Sequence, residues 1–406
     1  MVLVLLVATS FVPLAHGQPS VVSTVNGGLS PTGVAYDSGK GEIFVADYSS
    51  NNVTVISDST YAQVANISVG DSPQGITYDS GTGEVFVANI GDNTVSVISD
   101  STNSVVATIQ VGGTPIAAAY DSGKGEVFVV NSNVTGISGT VSVISDSSNA
   151  VIKNISVGIA PNGIAYDAAA GEIFVGNTGT STTNLAASIS VISDASNTVV
   201  KNITGVVSPV GIAYDSAKNQ LFVAGSPDDI YVISLTSDSV VATIPAGSDP
   251  YGVVYDPANG EVFVANSLGT TVSVISDSTD TIVGTINVGN GPQALAYDSG
   301  TGDVFVGNMG SNTVSVISAG TAITGTTSST PSGTTASTQA PSSSTTSAVQ
   351  TTTATTSSTS SGGGVPVFPY QLGTAALFTV LLAATYLLIR RRNPVPLNRN
   401  QVPRAG

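Results

Sequence analysis

The chain has 406 residues, 41% of them hydrophobic, which is enough for one large all-β domain or two to three ordinary domains. The formal net charge is −16, and all 26 acidic residues lie between Asp37 and Asp303, a stretch without arginine, which argues against nucleic-acid or phosphate partners. The absence of cysteine excludes disulfides, thiolate metal sites and a cysteine nucleophile.

The first predicted element is a signal peptide over residues 1–17. An apolar run ends in Ala15-His16-Gly17, a small-x-small pattern typical of a cleavage site. Cleavage there starts the mature chain at Gln18 and removes the single histidine of the sequence. Residues 18–320 then contain no His, Cys, Trp or Arg, which excludes histidine general bases, imidazole-ligated metal or haem, and Ser-His nucleophile pairs from this region.

Seven copies of one repeat fill residues 18–320. Each copy contains a Tyr-Asp pair preceded by a proline five residues earlier. The tyrosines are Tyr36, Tyr78, Tyr120, Tyr166, Tyr214, Tyr255 and Tyr297. Each unit of about 42 residues has four short runs rich in β-branched residues, such as GITYD, GEVFVAN, TVSVISD and SVVATIQVG, which is the pattern of a propeller blade. The sequence therefore predicts an all-β, seven-bladed β-propeller with four-stranded blades.

The seventh copy lacks its fourth strand, and the N-terminal segment supplies a match. VVSTVNGGLSP (Val21–Pro31) has the length and pattern of VVATIQVGGTP (Val105–Pro115), a fourth strand that leads into the next blade. We therefore expect the N-terminal strand to complete the last blade, which removes two exposed sheet edges.

The repeat also carries a family resemblance. GEVFVAN, followed by TVSVISDSTNSVVATIQVG and P-x-x-x-A-Y-D, resembles the YVTN-type β-propeller repeats of archaeal and bacterial surface-layer-like proteins. FVAN stands where the family has YVTN, and the resemblance covers residues 21–318. The fifth blade departs from it, with Gly225 in place of the asparagine and Leu235 in place of the aspartate. The resemblance implies a cell-surface propeller and names no ligand.

Three further elements are predicted after the repeats. Residues 321–364 are almost entirely Thr, Ser, Gly, Ala and Pro, which predicts a disordered, O-glycosylated stalk. Residues 370–389 contain an uncharged apolar run long enough for a single transmembrane helix. Residues 390–406 begin with three arginines, so the positive-inside rule predicts a basic cytoplasmic tail and an extracellular propeller on a single-pass cell-membrane protein.

Differences in repeat length indicate a candidate binding site. All the variation lies in the loop between the second and third strands, which is longest in blade 3 (Asn131–Thr140) and blade 4 (Asn177–Ser188). Insertions on one face of a repeat scaffold often mark the binding face, although drift in an unconstrained loop gives the same pattern. The partner-binding candidates, for an unknown surface protein or glycan, are Asn131, Asn133, Thr135, Asn177, Gly179 and Asn184.

Five N-x-[ST] sequons predict N-glycosylation, at Asn52, Asn66, Asn133, Asn154 and Asn202. Asn66, Asn154 and Asn202 occupy matching positions in the predicted outermost strands, where a glycan would also block edge-to-edge pairing. Chance sequons in a chain this rich in Asn, Ser and Thr are the alternative.

The stretch YDSGKGEIFVAD resembles an acidic cation loop, because Asp37 and Glu42 flank a glycine-rich turn. A calcium loop needs oxygen ligands where this one has Gly39 and Gly41. The residue before the acidic position is Gly in six copies and Asn219 in the other, the types that best tolerate a left-handed backbone. We therefore expect a hairpin turn with Asp accepting backbone N–H bonds, and no metal.

The residues after the repeated prolines are expected at the mouth of the central channel: Thr32, Gln74, Ile116, Asn162, Val210, Tyr251 and Gln293. None is a carboxylate, so metal-assisted lactone hydrolysis, known for some propellers, is disfavoured. We expect no cofactor and no catalytic residues. The sequence favours a non-catalytic surface binding or adhesion module; a structural surface-layer component is the alternative, and a lactonase-like hydrolase ranks below both.

Overall fold

The computed structural model describes residues 17–132, 138–179, 186–225 and 227–318. Within these ranges the chain forms 28 β-strands in seven four-stranded antiparallel sheets, which confirms the predicted seven-bladed propeller. The described residues form no helix with the length and apolar character that crossing a bilayer requires. The predicted signal peptide apart from Gly17, the stalk, the transmembrane helix and the basic tail lie outside the described residues.

The four strands of a blade are named inner, second, third and outer, starting from the propeller axis. The inner strands are β2 (Pro31–Asp37), β6 (Pro73–Asp79), β10 (Pro115–Asp121), β14 (Pro161–Asp167), β18 (Pro209–Asp215), β22 (Pro250–Asp256) and β26 (Pro292–Tyr297). The second strands are β3 (Glu42–Asp47), β7 (Glu84–Asn89), β11 (Glu126–Asn131), β15 (Glu172–Asn177), β19 (Gln220–Gly225), β23 (Glu261–Asn266) and β27 (Asp303–Asn308).

The other two strands of each blade lie farther from the axis. The third strands are β4 (Asn52–Ser57), β8 (Thr94–Ser99), β12 (Ser138–Ser145), β16 (Ser188–Ser193), β20 (Asp229–Ser234), β24 (Thr271–Ser276) and β28 (Thr313–Ser318). The outer strands are β5 (Gln63–Ser68), β9 (Ser104–Gln110), β13 (Ala150–Ile159), β17 (Thr198–Ile203), β21 (Ser239–Pro245), β25 (Thr281–Asn287) and β1 (Ser20–Asn26).

The N-terminal strand closes the ring. β1 pairs antiparallel with β28, from Ser20 opposite Ser318 to Asn26 opposite Thr313, so blade 7 consists of β26, β27, β28 and β1. The inner strands of neighbouring blades contact one another around the whole circle, including β26 with β2. This confirms the predicted closure, in which the two ends of the repeat array share one sheet.

The hydrophobic core is divided into layers between adjacent blades. Every second strand contributes one phenylalanine without solvent exposure: Phe44, Phe86, Phe128, Phe174, Phe222, Phe263 and Phe305. In one such layer Phe44 and Val55 of blade 1 pack with Val85 and Ile98 of blade 2. Burying a phenylalanine is worth about 1.5 to 3 kcal/mol, so the seven equivalent sites are a major source of stability.

Glycine at the third position of each P-x-G motif allows the inner strands to approach closely. A Cβ added at Gly33, Gly163 or Gly211 would overlap a backbone carbonyl oxygen of the next inner strand. A propeller narrows toward its axis, so side-chain volume is limited at this radius. Blades 3 and 7 have Ala117 and Ala294 at the same position.

Every outer strand contains a bulged residue at the same position, and β13 has a second register shift between Ser156 and Ile159. In blade 2, Ile98 pairs with Val105 and Val97 pairs with Ala107, which leaves Val106 without a partner in the ladder. The equivalent residue is β-branched and exposed in all seven blades: Val22, Val64, Val106, Ile152, Val200, Val241 and Val283. A bulge twists a free edge away from further pairing, so each outer strand is protected against edge-to-edge association.

Candidate functional site

The propeller has two different faces. The Tyr-Asp face is the end at which each inner strand finishes in Tyr-Asp, and the Pro face is the end at which each inner strand begins with proline. Ser20 and Ser318 lie opposite each other at the Tyr-Asp face, so both ends of the propeller leave from it. Second strands end and third strands begin at the Pro face, and these ends include the strand ends that flank the long loops of blades 3 and 4.

At the Tyr-Asp face the acidic motif forms a hairpin turn. Asp37 Oδ1 accepts hydrogen bonds from the backbone N–H groups of Gly39, at 2.7 Å, and Lys40, at 3.2 Å. Gly41 has a φ of 68°, and Asn219, at the same position in blade 5, has a φ of 56°. The predicted turn is confirmed. Among the described residues, no group of three or more His, Cys, Asp or Glu side chains is arranged to hold a metal ion.

The tyrosine of the motif links neighbouring blades, which the sequence analysis did not predict. Each hydroxyl lies close to the motif aspartate of the preceding blade, in the pairs Tyr78–Asp37, Tyr120–Asp79, Tyr166–Asp121, Tyr214–Asp167, Tyr255–Asp215, Tyr297–Asp256 and Tyr36–Asp298. Burial and the adjacent carboxylates raise the tyrosine pKa, to about 12 for Tyr214 and Tyr297. The motif tyrosines therefore form a circular set of contacts between neighbouring blades.

Most acidic side chains lie at the Tyr-Asp face, because they occupy the turns after the inner and third strands. Three lysines of the same turns, Lys40, Lys124 and Lys218, donate to backbone carbonyls of the next blade, at Asp100, Asp194 and Asp277 respectively. These lysines offset part of the repulsion among the carboxylates. The charged side chains of the Tyr-Asp face therefore interact with one another and with the backbone of the hairpin turns.

At the Pro face, two of the predicted partner-binding residues, Asn131 and Asn177, are buried and form hydrogen bonds within their own blades. Asn131 is 1% exposed, and its amide donates to Ser142 Oγ at 2.9 Å and to Thr140 Oγ1 at 3.2 Å. Asn177 is fully buried and donates to Ser190 Oγ at 2.9 Å. Gly179 is also buried. Asn131 and Asn177 therefore make structural contacts at the bases of the long loops, and their side chains are not on the surface. The other three predicted residues, Asn133, Thr135 and Asn184, lie outside the described residues.

The same asparagine position recurs in other blades, which is a signal that the sequence already contained. Asn89, Asn131, Asn177, Asn266 and Asn308 all end second strands and all donate to a serine of the third strand. Blade 1 has Asp47 there, which accepts from Thr54 at 2.7 Å. In blade 5, Gly225 leaves the space that the Tyr231 ring fills.

The bases of the two long loops meet at the connection between blades 3 and 4. The ladder of β12 with β13 extends to Ser138 opposite Ile159. Thr178 Oγ1 donates to the Ala160 carbonyl at 3.0 Å, and the Gly179 N–H donates to the Ile159 carbonyl at 3.1 Å. The described residues that flank the two loops therefore lie together in one contiguous part of the Pro face.

An axial cavity of about 190 Å³ lies between the beginnings of the inner strands. All seven residues predicted at the channel mouth line it: Thr32, Gln74, Ile116, Asn162, Val210, Tyr251 and Gln293. None of the described residues that line the cavity is charged. Gln74 Nε2 approaches the Tyr251 hydroxyl at 3.4 Å across the axis, Asn162 lies near the same hydroxyl, and burial raises the pKa of Tyr251. The mouth of the cavity therefore has polar groups, and none of its described residues is charged.

Comparison with known proteins supports the fold and goes no further. No model of a known protein family matches the sequence, and no curated protein matches it. Among solved structures, Kuenenia stuttgartiensis hydrazine synthase is similar, with a TM-score of 0.66 and 16% sequence identity over 76% of this chain and 99% of that chain. At this identity the similarity shows that the two chains share a propeller fold.

Proposed function

We propose that this protein is a non-catalytic binding or adhesion module of the cell surface, and that its Pro face contacts a surface protein or glycan. The observation that carries the proposal is the placement of the variable loops. All variation in repeat length lies at the Pro face, whereas both ends of the propeller leave from the opposite face. Because both described ends of the propeller lie at the Tyr-Asp face, we propose that the Pro face is the one that meets a partner.

The proposed cellular location rests on the sequence and on the resemblance to YVTN-type repeats. A signal peptide over residues 1–17 directs export, residues 370–389 span the cell membrane once, and residues 390–406 lie in the cytoplasm. Residues 321–364 act as the stalk. The described propeller ends at Ser318 on the Tyr-Asp face, which supports the proposal that the Pro face points away from the cell.

The neutral cavity supports the non-catalytic part of the proposal. The described residues that line it include no histidine, carboxylate or lysine that could act as a general base or hold a divalent cation. Lactonase-like hydrolysis at the axis would require such groups.

Glycosylation of the outer strands is part of the same proposal. Asn66, Asn154 and Asn202 are exposed on β5, β13 and β17. The Oδ1 atoms of Asn154 and Asn202 accept from Ser142 and Ser190, both at 2.8 Å, which leaves each Nδ2 available for a glycan. Asn52 is partly buried at the start of β4, and Asn133 lies outside the described residues. Glycopeptide mass spectrometry of the native protein tests these sites, and unmodified peptides at all five sequons would contradict the proposal.

A loop exchange tests the binding role. In the variant, residues 132–139 and 178–187 are replaced by the four-residue loop of blade 2, residues 90–93. Replacement of residues 267–270 of blade 6 by the same four residues is the matched control, because loop length is unchanged. Residues 18–320, which contain all seven cores and the closing strand, serve as bait for native cell-surface extract. We expect the double exchange to lose the captured partner and the control to keep it; equal capture by both would refute the loop assignment.

A structural role in a surface layer is the second candidate, favoured by the resemblance to surface-layer-like repeats. The bulged outer strands argue against lattice formation through sheet edges. A structural component should assemble into ordered arrays when the propeller is isolated, and electron microscopy of the purified propeller distinguishes this outcome from dispersed particles.

A further inference from the structure

The axial cavity holds polar groups whose hydrogen bonds are incomplete. Gln293 Oε1 is buried and has no hydrogen-bond partner among the described residues. The contact between Gln74 and the Tyr251 hydroxyl is long for a hydrogen bond, at 3.4 Å. A buried polar atom without a partner lowers stability unless water or a ligand satisfies it.

These groups come from separate blades and converge only because the ring is closed. Gln74, Asn162, Tyr251 and Gln293 are the second residues of the inner strands of blades 2, 4, 6 and 7. Gln74 and Tyr251 are 177 residues apart in sequence, yet their side chains approach each other across the axis. A fixed set of donors and acceptors in a preformed cavity is the usual composition of a small-molecule site.

The chemistry of the lining selects the class of ligand. A carboxamide and a phenolic hydroxyl can each donate and accept hydrogen bonds, as can the hydroxyl groups of a sugar. A charged ligand would lose its hydration without meeting an opposite charge in the lining. A fully apolar ligand would leave the carboxamides unsatisfied. The lining therefore fits a neutral, hydroxyl-rich ligand.

The size of the cavity limits the ligand to one small unit. Its volume of about 190 Å³ is below the range of about 300 to 1,000 Å³ found for sites of drug-sized ligands. Below the polar residues, Val34, Ile76 and Leu295 add apolar surface, which suits the C–H groups of a sugar ring. An oligosaccharide could place only one residue in this space.

We propose that the axial cavity at the Pro face binds one neutral sugar residue, either a free monosaccharide or the end of a glycan chain. The inference rests on the proposed function, because it names the ligand class of a surface binding module. It depends on the cavity alone and not on the long loops, so each can be tested separately.

Isothermal titration calorimetry on residues 18–320 tests the site, with saturation-transfer NMR for weak binding. The probes are glucose, galactose, mannose and N-acetylglucosamine, and the charged comparisons are glucuronate and glucosamine. The site variants are Tyr251→Phe and Gln293→Met, which preserve side-chain size. Tyr255→Phe at the opposite face is the matched control, and the melting temperature of each variant shows whether it is folded.

We expect at least one neutral sugar to bind, both site variants to weaken binding about five- to tenfold, and the control to bind as the parent does. Three results would overturn the inference: no neutral sugar binds and water alone fills the cavity; folded site variants bind unchanged; or charged sugars bind as tightly as neutral ones. Loop-dependent capture of a surface protein without sugar binding would overturn this inference and leave the proposed function standing.

Discussion

The buried carboxyl group of Asp47 makes a sharp test of the fold. Five blades have asparagine at this position, and blade 1 has Asp47, which is fully buried against Thr54 and Gly28. Burial raises its pKa from 3.8 to about 6, although the Thr54 hydroxyl stabilises the charged form. Asp47→Asn replaces the carboxyl with the amide that Asn89 uses to donate to Ser96.

The pKa sets the expected magnitude. Each pKa unit corresponds to about 1.4 kcal/mol, so the ionised carboxylate costs the folded state up to about 3 kcal/mol above pH 7. Because the folded pKa is the higher one, the carboxyl group is least unfavourable below pH 3.8, where both states are protonated. The penalty develops as the pH rises through about 6. Asp47→Asn should therefore stabilise the protein by about 1 to 3 kcal/mol at pH 8 and change little near pH 3.5.

Differential scanning calorimetry at a series of pH values measures this difference. The gain in melting temperature at pH 8 should be about 2 to 6 °C, and it should disappear on acidification. Asp71→Asn is the control, because Asp71 is exposed at the Pro face. Destabilisation by Asp47→Asn at pH 8, or a gain independent of pH, would show that Asp47 is not a buried charge in the folded state.

Further predictions concern closure, inter-blade contacts and edges. Tyr120→Phe should lower the free energy of unfolding by about 1 to 2 kcal/mol in urea titrations, while Tyr48→Phe should leave it unchanged; equal effects would refute the inter-blade role. Val106→Lys should change stability by less than about 0.5 kcal/mol, whereas Ile109→Lys, 6% exposed on the same strand, should prevent folding, as circular dichroism would show. A chain that begins at residue 29 lacks β1 and should aggregate in size-exclusion chromatography; a monodisperse, fully stable product would contradict the closure.

Local periodicity was sufficient to predict the blades. Alternating β-branched residues, the glycine before each acidic turn residue and the Tyr-Asp spacing specify strands and hairpins within about 42 residues. The buried phenylalanine of each second strand follows from a run that is apolar on both faces. These patterns involve residues close together in the chain, so they can be recognised in a single sequence.

The candidate site was predicted only in part. The loop insertions predict a site at the Pro face, and this stays a prediction, but Asn131 and Asn177, which were assigned to partner binding, are buried. Asparagine recurs at this repeat position in five blades, which indicates a structural role. A residue that contacts a partner from a single blade would not recur in the other four. The exposure of a side chain at the end of a strand depends on the adjacent connection, here the glycine-containing segment that covers each asparagine.

The sequence by itself determined the number of blades, their strand order, the closure by the N-terminal strand and the neutral residue types at the axis. Tertiary structure alone decided which groups meet across the ring. The contact of Gln74 with Tyr251 and the pairing of Tyr36 with Asp298 join residues far apart in the chain. Such contacts depend on the radius and tilt of seven packed sheets, which arise from the close approach of the inner strands and not from any local pattern.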